Sequence, residues 1–168
     1  LVPPVRMDEP ATQPFEAPRI ESGRTLRLAG ISERHGGTIT ALPTQWSRFI
    51  PLVGHVPGQM GRVVYGVTYN VDETTAFDYM CGVEVDAFLA EDPPFSRLTI
   101  PAQTYAVFTH REHITSLAAM IGAVLDRALG AAGYALMDGP FFERYDERFD
   151  PRTGHGDVEV WFPVAGGT

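Results

Sequence analysis

An α+β fold is expected: duplicated βαββ units forming an antiparallel sheet, with two helices on one side and a ligand cleft between the halves. Three observations carry that expectation. Apolar residues recur at helical spacing in two segments, runs of period-two alternation flank each of them, and the order strand, helix, strand, strand occurs twice in 168 residues, enough chain for one ordinary domain with its own core. Two such units can join about a pseudo-twofold axis. Burying both helical stripes at once places both helices on one face, and the opposite face is expected to form the cleft, in space that neither half fills alone.

Taken in order, residues 1–17 (LVPPVRMDEPATQPFEA) form a proline-rich segment that is neither a signal peptide nor a folded element and is read as flexible. Residues 18–168 are read as a single domain with pseudo-repeats at about 18–90 and 95–165. The first residue is Leu1, so the chain is either a piece of a longer polypeptide or starts naturally at Met7.

Arg24 to Ile31 alternates as a half-buried strand, and Gly36 and Gly37 break the chain beyond it. In LPTQWSRFIPLV, Leu42, Trp46, Phe49 and Val53 recur at helical spacing. Pro43 falls in the first turn, where its missing N–H costs nothing, and Pro51 is expected to end the helix. Val63–Val71 and Phe77–Val85, joined by DETTA, read as an antiparallel hairpin. After the breaker EDPP at 91–94, Phe95–Ile100 and Thr104–Phe108 are extended, with Pro101 between them. Leu117, Met120, Ile121, Val124, Leu125, Ala128 and Leu129 make a wide apolar helical stripe stopped by Gly130 and Gly133. Strands at 140–149 and 157–164 close the second unit. The expected core includes Leu42, Trp46, Phe49, Leu117, Ile121, Val124, Val158, Val160 and Phe162.

Composition removes several function classes. All 13 basic residues are Arg and none is Lys, which excludes Schiff-base chemistry, pyridoxal attachment and a Walker-type phosphate loop within this chain. The net charge of −8 and the dispersal of Arg from Arg6 to Arg152 argue against direct nucleic-acid binding. The apolar region Leu117 to Leu136 is broken by Asp126, Arg127 and three glycines, short of the roughly 20 unbroken apolar residues of a membrane span. A soluble, cytoplasmic protein without a membrane partner is expected. Lone Cys81 is read as a small buried apolar residue. His110 and His113 form an HxxH within HREH and His155 lies in a loop; a metal reading would need a third ligand and closed geometry, the spacing is unspecific, and a solvated helix start is preferred, so neither a metal nor a cofactor is expected.

Alternation places Phe141, Glu143 and Tyr145 on one face of their strand, a carboxylate between two aromatics. From spacing alone an Arg-paired surface Glu is favoured. If that face lines the cleft, dehydration raises the pKa of Glu143, and a lipophilic cation entering there regains Coulomb energy and aromatic contact. On the last strand Val158, Val160 and Phe162 share one face while Glu159 and Trp161 share the other, so Trp161 either joins the cleft or plugs the end of the core. Tyr65, Tyr69, Tyr79 and Tyr105 lie on other strands and are candidates for an aromatic wall.

The succession LPTQWSRF, VVYGV, FDYMCGVEV, LTIPAQTYAVFTHR, GPFFERYDERFDP and DVEVWFPV resembles the GyrI-like small-molecule-binding domain, also called the AraC-type effector-binding domain, over roughly residues 18 to 164. The resemblance implies a duplicated βαββ fold whose cleft binds bulky hydrophobic, often cationic, molecules, with Glu143 of the E-x-Y pattern, beside Tyr145, at the base of the pocket. Phe141, Trp161, Tyr65, Tyr79 and Tyr105, placed on the strands by alternation, are expected to join them in binding the ligand. Many relatives carry a DNA-binding helix-turn-helix ahead of this domain, and none is recognised in the first residues here. The implied roles are an effector-sensing module of transcription regulation, a stand-alone drug-binding protein, or a partner-binding inhibitor like the gyrase-inhibiting relatives; a protein partner or homodimer is left open. The alternative is a hydrolase that opens cyclopropane rings of DNA-alkylating natural products, with Glu143 and Tyr145 catalytic. Nothing in the sequence separates a Glu that binds cations from one that activates water.

Overall fold

Eight strands, one more than the alternation implies, and two helices succeed one another in the expected order. The structure is a computed structural model and describes residues 16–88 and 95–165; the breaker EDPP and nearly all of the proline-rich N-terminal segment lie outside the described residues. The strands are β1 (Arg19–Gly23), β2 (Leu26–His35), β3 (Gln59–Tyr69), β4 (Phe77–Val85), β5 (Ser96–Ile100), β6 (Gln103–His110), β7 (Phe141–Tyr145) and β8 (Val158–Pro163). Helix α1 (Leu42–Phe49) precedes β3 and runs into a 3-10 turn, Ile50–Leu52. Helix α2 precedes β7. It comprises Leu117–Ala123, a π-helical turn Val124–Ala128, and Leu129–Ala131.

All strands lie in one antiparallel sheet of order β1-β6-β8-β7-β3-β4-β2-β5. The two units meet where β3 pairs with β7, and the order reads the same outward from that seam: second hairpin strand, then first strand of the unit. The outermost strands are exchanged. β1 precedes the first unit yet pairs with β6 of the second, and β5 precedes the second yet pairs with β2 of the first. Dividing the chain at about residue 90 therefore separates each edge strand from the unit it completes. β1 itself goes beyond the strands expected from sequence, because Ile20 is 44% exposed and its neighbours are charged.

The exchange dictates the curvature. Only Arg24 and Thr25 link β1 to β2, so Gly23 and Leu26 are at most about 10 Å apart, whereas in a flat sheet six inter-strand steps would separate these strands by about 29 Å. The sheet must curl, and its inner face packs on itself: Leu26, Leu28 and Ile100 from one end meet Tyr105 and Val107 from the other, around Tyr65, Val67, Met80 and Phe142. Both helices lie outside, on the other face. α1 covers Ala29, Phe77, Tyr79, Cys81, Val83 and Val85, and α2 covers Ala106, Phe108, Val158, Val160 and Phe162.

Pro43 sits in the first turn of α1, and Pro51 lies in the 3-10 turn that ends it. Phe49 is fully buried as expected, but Leu42 and Trp46 are only half-buried; the other side chain α1 buries completely is Gln45. Its Nε2 donates to the carbonyls of Tyr79 (2.7 Å) and Ile31 (2.9 Å), and its Oε1 lies 2.7 Å from His35 Nε2. An amide oxygen only accepts, so His35 carries its proton on Nε2. Gln45→Leu would leave these polar groups unpaired, and urea unfolding should show a loss of about 2–4 kcal/mol.

α2 buries Leu117, Val124 and Leu129 and leaves Leu125 40% exposed, which corrects the expectation that Leu125 lies on the buried stripe. The π-helical turn inserts one residue, so the apolar face resumes five residues after Val124 rather than four. Ile121 is half-buried. Gly133, at φ +91°, ends the helix by donating its N–H to the Gly130 carbonyl (2.9 Å). With its leading turn, Ile114–Ala131 is long and apolar enough by length and composition to cross a membrane; in this fold its three buried residues face the sheet.

Candidate functional site

β3 and β7 face each other across the seam with Val64 opposite Tyr145, Gly66 opposite Glu143 and Thr68 opposite Phe141. Paired residues of antiparallel strands project to the same side. Glu143 also pairs with Val160, and Gly66 with Cys81, so the carboxylate lies on the face that carries both helices. The cleft beside Glu143 is accordingly on the helix side, between α1 and the start of α2. The expectation put Glu143 in a cleft on the opposite face; the structure has a space on each face, and Glu143 belongs to the helix side.

Glu143 is 6% exposed. Its Oε1 accepts from Tyr79 (2.7 Å) and Tyr145 (3.1 Å), and the Tyr79 oxygen accepts from Trp46 Nε1 (3.2 Å). Among the described residues no Arg or His forms an ion pair with it, and no hydrogen bond reaches Oε2. Burial therefore raises its pKa from 4.5 to about 7 against the opposing pull of the two phenols. Burial and the nearby carboxylate push Tyr79 and Tyr145 well above the usual phenol range, so both remain neutral donors.

Gly66 makes this arrangement possible. A Cβ there would overlap the Tyr79 hydroxyl and lie 2.5 Å from Glu143 Oε1. Cys81, opposite Gly66, is buried and free, and burial raises its thiol pKa, which favours the neutral thiol.

Above this layer is an open cavity of about 380 Å³, lined by Trp46, Ile50, Arg62, Val64, Ile114, Tyr145, Asp146, Phe149, Pro151 and Gly154. Trp46 and Tyr145 meet edge to face at 5.5 Å, as do Tyr145 and Phe149 at 5.3 Å. Glu143 lies one side-chain layer behind Trp46 and Tyr145, so a group reaching the carboxylate must displace one of these rings. Asp146 is already compensated by Arg148 (2.9 Å) and Arg144 (3.2 Å).

The candidate residues divide between the two faces. Glu143, Tyr145 and Tyr79 come together. Phe141 shares their face but stacks on Phe162 at 5.4 Å in the α2 cluster. Tyr65, Tyr105 and Trp161 lie inside the curled sheet around Phe142, with Trp161 stacked on it at 5.5 Å, so they do not share a cavity with Glu143. They border a second space of about 410 Å³ with Arg19, Arg24 and Arg144 at its edge. There Glu159 is held by Arg19 (3.0 Å) and Arg148 (3.2 Å) and accepts from Trp161 Nε1 (3.0 Å).

Trp46, Ile50, Phe149 and Gly66 were not among the candidates. Trp46 falls on the apolar stripe of its helix and reads as core. The glycine inside VVYGV was the available signal, since glycine within a strand marks a bulge or a close approach. His113 accepts from Thr115 N–H (3.2 Å) at the turn before α2 and meets His155 edge to face, while His110 is buried rather than solvated, its Nε2 bonding Ser116 Oγ (2.8 Å) and its Nδ1 without a partner among the described residues. Among the described residues no cluster of three or more His, Cys, Asp or Glu side chains is placed to hold a metal.

Residues 16–165 match the GyrI-like small molecule binding domain. The chain belongs to that family. It is 32% identical over 131 residues to the transcriptional regulator BrlR of Pseudomonas aeruginosa, an alignment covering 77% of this chain and 47% of BrlR; the chain thus spans about half of that relative. The GyrI-like fold is shared with SAV2435 bound to tetraphenylphosphonium (TM-score 0.73, 18% identity, 90% of this chain and 95% of that one). It is also shared with the EcmrR C-terminal domain (TM-score 0.63, 17% identity, 91% and 99%).

Proposed function

We propose that this GyrI-like domain takes bulky aromatic cations into the cleft between its helices, acting as an effector-sensing module of transcription regulation or as a stand-alone binder. The observation that carries the reading is Glu143, a buried carboxylate without a cationic partner among the described residues, behind a wall of Trp46 and Tyr145. An entering cation supplies the missing counter-charge, and the ring faces add cation–π attraction. Support comes from SAV2435, which binds tetraphenylphosphonium, and from BrlR, a transcriptional regulator.

Calorimetric titration with tetraphenylphosphonium tests it. Saturable binding is expected at about pH 8, and absence of binding there overturns the reading. A cation binds the ionised carboxylate, and the free protein holds a proton on Glu143 below its pKa of about 7. The groups around it, Tyr79, Tyr145 and Cys81, stay neutral in this range. Affinity should therefore be constant above about pH 8 and fall roughly tenfold per pH unit below about pH 6.

A second reading, hydrolysis, draws on the same carboxylate, whose pKa near neutrality suits a general base. In opening a cyclopropane conjugated to a dienone, Glu143 would take a proton from water. The oxygen–carbon bond forms as the ring bond breaks, the electron pair moves to the dienone oxygen, Tyr145 turns its proton to that oxygen, and the proton that Glu143 took from water returns to Tyr145 along the contact the two share, which restores both groups. Ring-opened product in mass spectra after incubation with such an alkylator would favour this reading; its absence alongside cation binding would favour the sensor.

A further inference from the structure

The cleft carries a second charge that the cation-binding reading leaves unused. Arg62 lies on β3, two residues before Val64, and both line the cavity. The register between β3 and β4 shifts between Gln59 and Val64, and Gly61 adopts φ +69°; β7 pairs only with Val64–Thr68. Arg62 therefore projects from strand that β7 does not cover, at the open end of the cleft, where it is exposed.

Among the described residues no carboxylate or other polar group pairs with Arg62. The only other charged residue on the cavity wall is Asp146, whose two arginine partners hold it. Ile50, 50% exposed, also borders the opening. The cleft thus presents an unpaired anion behind its aromatic wall, an unpaired cation at its mouth, and apolar surface between them. Gly66, the partner of Glu143, is four residues from Arg62, about 13 Å along an extended strand, a separation a polycyclic molecule can span.

We propose that Arg62 makes this site selective for zwitterionic aromatic ligands, which turn their cationic end toward Glu143 and present a carboxylate to the guanidinium at the mouth. The inference rests on the cation-binding reading and adds to it. A simple lipophilic cation gains the inner counter-charge but meets like charge at the entrance. A zwitterion satisfies both groups, and guanidinium and carboxylate match as a two-point hydrogen-bonded pair.

The test uses a rhodamine bearing a free carboxylate and its methyl ester, which share one cationic ring system, titrated by fluorescence polarisation. The unaltered domain should bind the acid roughly threefold to tenfold tighter than the ester, the range expected for a charge pair that is only partly dehydrated. Arg62→Gln should move the two in opposite directions, weakening the acid and tightening the ester, and Arg62→Glu should invert the preference. Circular dichroism establishes that the variants fold. If Arg62→Gln leaves the acid-to-ester ratio unchanged while Glu143→Gln still weakens the ester, the role of Arg62 is overturned and the cation site stands. If the folded, unaltered domain binds neither dye nor tetraphenylphosphonium, both readings are overturned.

Discussion

Glu143→Gln is expected to weaken tetraphenylphosphonium binding by about a hundredfold above neutral pH, the scale of leaving a dehydrated charge without its partner. The neutral triphenylphosphine oxide should change by no more than about twofold, because contact area and cation-independent packing are retained. Gln preserves the shape of Glu143 and an oxygen to accept from Tyr79 and Tyr145. Equal losses for both probes would make Glu143 a shape-setting residue.

The substitution also has a signature without ligand. The folded pKa of Glu143 is raised from 4.5 to about 7, so the folded state holds a proton that the unfolded chain releases. The associated stabilisation is complete below about pH 4.5 and is lost as pH rises through about 7. Removing the titrating group should flatten that part of the stability profile in urea unfolding.

Gly66→Ala should be nearly as damaging. One methyl group would overlap the Tyr79 hydroxyl beside Glu143. Tyr79 has no room to retreat: it is 2% exposed, its backbone carbonyl accepts from Gln45, and its ring meets Trp46 at 6.3 Å. Overpacking of this kind costs about 1–3 kcal/mol, and loss of the phenol–carboxylate bond should reduce cation affinity as well. Adding Tyr79→Phe to Gly66→Ala removes the obstructing oxygen, so thermal stability should recover in part while cation affinity stays low, since Glu143 has lost a donor that favours its ionised form. A Gly66→Ala protein with unchanged melting temperature and unchanged cation binding would contradict the close approach.

Legibility varied with how local the physics is. Pro43, Pro51 and Gly133 mark helix ends through their own backbone constraints, and their segments alternate or repeat as the structure shows. β1 has one exposed apolar residue among charged ones, because an edge strand needs little apolar pattern. The π-helical turn in α2 leaves no mark in a 3.6-residue count, and with it Val124 and Leu129 both pack in the cluster against the sheet.

The chain by itself determined which residues share a face within each strand, since side chains alternate whatever the neighbours do. Phe141, Glu143 and Tyr145 stand together, as do Glu159 and Trp161, and the family pattern singled out Glu143. Only the tertiary structure decided which faces meet. Register sets Glu143 beside Val160 and Trp161 beside Phe142, and a slip of one residue would have reversed every such match. That pairing depends on strands distant in sequence and on the curl enforced by the exchanged edges. It puts Glu143 with Gly66, Tyr79 and Trp46 under the helices and leaves Tyr65, Tyr105 and Trp161 inside the sheet.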